Sequence, residues 1–232
     1  MSIKNFLYFI DTLVNNATKN ASIAATNMAY QEKANTITHG IGTLLSVVGF
    51  IVLLFIAITK GNIWQIISFT IYGTTLITLY LASTIYHGLP ETKTKRTFQV
   101  FDHSAIYLLI AGSYTPITLI SLRGSWGWTL FGLVWGIALI GISMKAFFFK
   151  KTQVISVILY IVMGLLILAA IKPLLMSIPV NMLLWIIVGG LFYLLGIFFF
   201  FTPKIRYHHT IWHLFVLGGS ISHFLGILFY LT

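Results

Sequence analysis

The sequence predicts an all-α polytopic membrane protein: a bundle of seven transmembrane helices, with a cytoplasmic amino terminus and an external carboxyl terminus. Three observations carry this expectation. Only 8% of the 232 residues are charged and 58% are hydrophobic, whereas a soluble domain carries about 25% charged residues. Seven apolar runs each come close to the roughly 20 residues needed to cross a bilayer. Lysine and arginine collect at one end of these runs, the bias that sets membrane orientation.

The runs are residues 41–59, 64–86, 100–122, 126–147, 154–171, 182–201 and 211–231. The breaks between them carry turn chemistry: Lys60-Gly61-Asn62, the polar stretch 88–97, Arg123-Gly124-Ser125, Lys150-Lys151, the segment between Pro173 and Pro179, and Thr202-Pro203-Lys204. Lys60, Arg123 and Lys172 fall on the outer side. The other eleven of the 14 basic residues, Lys145 among them, fall on the amino-terminal side, which is therefore expected to be cytoplasmic. Trp64, Trp126 and Trp128 sit near outer span ends, where an aromatic belt belongs. Pro116 is expected to bend or break the third helix, because it has no backbone N–H to donate. Glycines inside spans, including Gly112, Gly132, Gly136, Gly189 and Gly190, are expected to let helices pack closely.

Residues 1–35 form an amino-terminal cytoplasmic or interfacial segment, and residues 36–232 the seven-helix domain. Phe6, Leu7, Phe9, Ile10, Leu13 and Val14 recur at helical spacing, which fits a short amphipathic helix on the membrane surface or an unstructured tail. No secretory signal is expected, since no small-residue cleavage site follows the apolar start. The net charge of +10 would suggest nucleic acid, but the charges lie in short loops between spans, so no nucleic-acid partner is expected. With no cysteine, any metal must be held by nitrogen and oxygen.

Topology brings six of the seven histidines to the cytoplasmic end. His87 ends the second span, Asp102 and His103 open the third, and His208, His209 and His213 open the seventh. Ionisable groups in a bilayer are expensive and mark working sites. His209 and His213 are four apart on a helix and share a face, so they can grip one ion, with His87 as a third ligand and water as a fourth, the arrangement of catalytic zinc sites. Asp102 would hydrogen-bond that water or orient a histidine, and Ser83, one turn before His87, would reach the water or a substrate carbonyl. The competing reading places these histidines at headgroup level, solvated, with Asp102 favouring a helix start. His103 and His208 fit interface solvation better than ligation, and His223 fits a hydrogen-bonded bundle core. Glu32, Asn35 and His39 share a face and form either a polar network behind the site or a solvated helix start.

The stretches Ser83-x3-His87, Phe101-Asp102-His103 through Pro116, and His209-x3-His213, preceded by Glu32-x2-Asn35-x3-His39, resemble the hemolysin III family, within the progestin and adipoQ receptor superfamily. The resemblance runs from about Glu32 to the carboxyl end. It implies a seven-helix fold with a cytoplasmic amino terminus. It also implies Zn2+ on His87, His209 and His213, with Asp102 and Ser83 beside it. The leading expectation is a zinc hydrolase of lipid amide or ester bonds in the bacterial inner membrane. Asp102 would serve as general base and Ser83 would help hold the oxyanion. Two alternatives stand beside it: a sensor of membrane state with structural zinc, and a cytolytic protein.

Overall fold

The computed structural model describes the backbone of residues 3–232, and the side chains of residues 4, 8 and 14–232. The apolar stripe formed by Phe6, Leu7, Phe9, Ile10 and Leu13 lies outside the described residues. Among the described residues, seven helices are long and apolar enough to cross a membrane. The first runs unbroken over Ile3–Lys60, so no backbone break marks the division at residue 35. The second is Ile63–Gly88, the third Lys93–Ser121, the fourth Ser125–Lys151, the fifth Gln153–Ser177, the sixth Val180–Phe200 and the seventh His208–Tyr230.

Local chemistry explains the helix ends. Asn62 Oδ1 accepts from the amides of Trp64 (2.9 Å) and Gln65 (3.2 Å), and Gln65 Oε1 accepts from the Asn62 amide at 2.9 Å. This reciprocal cap satisfies donors left free at a helix start. Thr92 Oγ1 does the same for the third helix, accepting from Lys95 N. At Pro116 the α-helix gives way to a π turn over Ile117–Ser121, closed by Leu122 N on Ile117 O at 2.9 Å. The expected disturbance is therefore a π turn, which absorbs the missing N–H without breaking the span.

The fifth helix departs from expectation. It does not stop near residue 171 but passes through a 3-10 stretch, Leu166–Ala170, into a final α segment, Ile171–Ser177. Pro173 falls in the first turn of that segment, where a missing N–H costs little. Tyr114 of the third helix serves the junction: its hydroxyl donates towards Met163 O (2.7 Å) and Gly164 O (3.0 Å) and accepts from Ile167 N at 2.9 Å.

Apolar side chains such as Leu44, Phe55, Leu139 and Phe198 cover the outside, while Tyr72, Tyr80 and Tyr107 are fully buried. Small residues set the helix spacing. A Cβ on Gly112 would overlap Thr75 of the second helix, and one on Gly189 would overlap His223 of the seventh. Gly132, Gly136 and Gly190 meet no neighbour, so the close-packing role expected of them does not hold.

Candidate metal centre

The second and seventh helices are clamped together at the end remote from the histidines, where Gln65 Nε2 donates to Leu231 O at 2.7 Å. At the other end the second helix finishes with His87, and the seventh begins beyond Tyr207, whose left-handed φ of 58° turns the chain into the helix. His87 and His213 are buried (5% and 0% exposed) and His209 is half-buried. The ring centroids lie 5.1 Å apart for His87–His209, 5.0 Å for His87–His213 and 4.7 Å for His209–His213. One ring nitrogen from each lies within 4.8 Å of the other two.

Their hydrogen bonding decides what these nitrogens can do. In all three histidines Nε2 is buried with no hydrogen-bond partner. His87 Nδ1 is 2.9 Å from Glu32 Oε2. An ionised carboxylate only accepts, so Nδ1 carries a proton, and in the neutral ring the lone pair on Nε2 is the one left for a metal. His213 Nδ1 is 3.3 Å from Thr38 Oγ1, whose own proton goes to the carbonyls of Ala34 or Asn35. Thr38 therefore accepts, and His213 Nε2 is left with a lone pair in the same way. Carboxylate, hydroxyl or carbonyl groups behind metal-binding histidines fix tautomers in this manner. A tetrahedral ion with Zn–N bonds of about 2.0–2.1 Å holds its nitrogens roughly 3.4 Å apart, so small side-chain rotations complete the fit. The residues present suit a nitrogen-ligated divalent ion.

The first helix supports this set at three- and four-residue spacing. Glu32 Oε2 also accepts from Lys95 Nζ at 3.2 Å. Asn35 lies 3.4 Å from His87 Nδ1 and accepts from Thr210 Oγ1 at 2.5 Å. His39 is buried and stacks on His213, with centroids 3.5 Å apart and planes 13° from parallel. Of the two readings left open for Glu32, Asn35 and His39, the polar network is observed for Glu32 and Asn35, while His39 is buried with both ring nitrogens unpartnered and joins only by stacking. Thr38, Lys95 and Thr210 belong to the network and were not singled out in the sequence. Thr38 and Thr210 were within reach, the first on the Glu32–Asn35 face and the second beside His209. Lys95 carried no signal, because its role depends on the loop folding back so that its ammonium reaches Glu32 and Leu89 O (3.1 Å).

Asp102 and Ser83 are buried, 4% and 0% exposed. They face each other, and Asp102 also interacts with His87. The Ser83 hydroxyl has no hydrogen bond. Asp102 stands outside the group of three converging nitrogens. The remaining histidines take other roles. The His103 ring packs edge-on against Phe149, and His208 Nδ1 lies 3.2 Å from Phe199 O. His223 Nε2 lies 3.2 Å from Ile186 O, the bundle-core role expected for it.

An all-helical protein with seven membrane-spanning helices and a buried three-histidine cluster at one end defines the class. The chain belongs to the Haemolysin-III related family, whose sequence profile matches residues 28–224. This agrees with the resemblance carried by the serine, aspartate and histidine motifs. It is 46% identical to "Hemolysin-3 homolog" of Bacillus subtilis (strain 168) over 200 residues, covering 86% of this chain and 94% of the relative. It is 45% identical to "Hemolysin-3" of Bacillus cereus over 205 residues, 88% and 94% of the two chains. A human relative, "Monocyte to macrophage differentiation factor", is 29% identical over 211 residues, 87% of this chain and 85% of that protein.

Proposed function

We propose that His87, His209 and His213 hold Zn2+ and that the protein is a zinc-dependent hydrolase of lipid amide or ester bonds, acting in membrane lipid homeostasis. The observation that carries this is the convergence of one ring nitrogen from each of three histidines whose Nε2 atoms are buried and unpartnered, two of them with their Nδ1 anchored by Glu32 and Thr38, beside a buried carboxylate and hydroxyl. Bound zinc supplies Lewis acidity toward water and toward a carbonyl oxygen. Asp102 takes the proton released from attacking water and delivers it to the leaving amine or alkoxide. The Ser83 hydroxyl donates to the carbonyl oxygen as charge develops there. Glu32 and Thr38 keep His87 and His213 in the ligating tautomer, and His39 holds the His213 ring plane by stacking.

The excess of basic residues at the histidine end supports an orientation with the amino terminus in the cytoplasm. The site then lies at the depth of inner-leaflet headgroups in a bacterial inner membrane, and membrane lipids are its substrates. The test is metal analysis of purified wild type against the His209→Ala/His213→Ala double variant, followed by lipid profiling of cells carrying wild type or Asp102→Ala. Stoichiometric zinc in wild type, lost in the double variant, with lipid changes that disappear in Asp102→Ala, is the expected result. Wild type without stoichiometric metal refutes the mechanism. A lipid profile insensitive to Asp102→Ala, with zinc retained, leaves only a structural role for the ion.

A further inference from the structure

The mechanism above leaves Lys145 without a task. This residue lies in the last turn of the fourth helix's α segment and is 0% exposed. Among the described residues its ammonium reaches Gln153 Oε1, at 3.5 Å, and the face of Phe149, 5.0 Å from the ring centroid. Among the described residues no carboxylate pairs with it. An ammonium withdrawn from water without a counter-charge is costly, most of all within a membrane. Lys145, counted among the inner-side charges at the end of the fourth run, points into the bundle.

It points into a small cavity of about 30 Å³, lined also by His103, Gln153, Ser156, Phe200 and Trp212. Ser156 is 1% exposed and its hydroxyl has no hydrogen bond. The Tyr107 and Tyr160 hydroxyls are near it, but that of Tyr160 is directed to His103 O at 2.8 Å. A cationic donor thus shares one cavity with a buried hydroxyl whose nearest uncommitted neighbour is the Tyr107 hydroxyl. The space is enough to admit a water-sized group, and the tip of an anion, a single phosphate or carboxylate oxygen, is of that size. Half-buried Val157 and Ile197 wall the cavity from the fifth and sixth helices, beside outward-facing Val154 and Phe198. Exposed Lys150 and Lys151 stand at the same helix end, where basic residues attract acidic headgroups.

We propose that this cavity is a binding site for an anionic lipid, placing one phosphate or carboxylate oxygen between Lys145 Nζ, Ser156 Oγ and His103. The site is separate from the three-histidine centre and stands whether or not that centre turns over. The two are neighbours, since Phe200 and Trp212 also pack on His209, with centroids 6.2 Å and 5.0 Å away.

The test is native mass spectrometry of wild type, Lys145→Met and Ser156→Ala in a neutral detergent. Each protein is offered phosphatidylglycerol, phosphatidylcholine or inorganic phosphate, and metal content is read on the same samples. Wild type is expected to hold phosphatidylglycerol about tenfold or more tightly over phosphatidylcholine. Lys145→Met loses that preference, Ser156→Ala weakens it several-fold, and metal content stays at the wild-type level in both. Phosphatidylglycerol preference is also expected in the His209→Ala/His213→Ala protein, so failure of the zinc reading leaves this result intact. Binding of inorganic phosphate that depends on Lys145 supports the anion site and assigns it to a soluble ion. A wild type without preference, or variants that both keep it in full, overturns the proposal. Ser156→Ala carries the test if Lys145→Met does not fold.

Discussion

Glu32→Gln is the sharpest probe of the centre, because it changes one charge and almost no volume. Glu32 Oε2 serves two cations or donors at once, His87 Nδ1 at 2.9 Å and Lys95 Nζ at 3.2 Å. The glutamine carbonyl can still accept from His87 Nδ1, so tautomer and ring orientation survive while the negative charge behind the imidazole is lost. Groups behind metal-binding histidines contribute about 10–100-fold in metal affinity, or roughly 1.4–2.8 kcal/mol at 1.4 kcal/mol per tenfold. The Glu32 side chain is 36% exposed, so solvent screens part of its field and the expected loss lies at the lower end, about tenfold. Glu32→Ala removes the acceptor as well, and the Asn35 amide nitrogen 3.4 Å away is a donor that cannot replace it, so the loss is expected to approach about 100-fold. The assay is competition for zinc against a chromophoric chelator, with helicity followed in parallel. Lys95→Met is the control: it removes the cation but not the bond to His87, and is expected to change affinity less than Glu32→Gln. Wild-type zinc affinity in both Glu32 variants, with the fold intact, would refute the assignment of Glu32 as the group that orients His87.

Asp102→Ala is expected to retain zinc by metal analysis while any lipid turnover falls by about 10²–10⁴, the usual contribution of a positioned general base. Gly112→Val drives a branched side chain into Thr75 between the second and third helices. It is expected to destabilise the protein by about 1–3 kcal/mol, read as a lower melting temperature in detergent. Tyr114→Phe removes the hydroxyl that serves Met163 O and Ile167 N at the irregular stretch of the fifth helix. Its expected cost is about 1–3 kcal/mol, with hydrogen exchange rising first around residues 163–170.

The parts of this protein that were legible in the sequence are those set by local chemistry. Hydropathy and turn residues place seven spans, and the His209–His213 spacing places two imidazoles on one face without knowledge of the fold. Joining His87 to them required only the inference that the histidine-bearing ends lie at one depth. What was not legible depends on which helix face meets which neighbour. Lys145 reads as an inner-side charge at the end of the fourth run, and nothing local shows which way its side chain points. Its burial comes from Phe149 and from the fifth helix packing beside it. Lys95 reads as a loop charge, and becomes part of the centre only because the loop after the second helix folds toward Glu32. Gly132 and Gly136 share their composition with Gly112, and nothing local distinguishes an outward glycine from one pressed against a threonine.

The convergence of the three histidines follows from a matching of lengths. Gln65 and Leu231 are bonded at one end of the second and seventh helices. The number of residues from Gln65 to His87 equals the number from His209 to Leu231. Both segments are helical and run in opposite directions, each rising about 1.5 Å per residue. A bond at the far end therefore brings His87 level with His209, and His213, one helical turn further into the bundle on the same face, completes the set. The first helix then needs no exact length of its own, since Glu32, Asn35, Thr38 and His39 occupy one face and meet the histidines over more than one turn. The capping box at Asn62 thus has a consequence beyond its own helix: by fixing where the second helix begins, and by orienting Gln65 toward Leu231, it sets the depth of a site at the opposite face of the membrane.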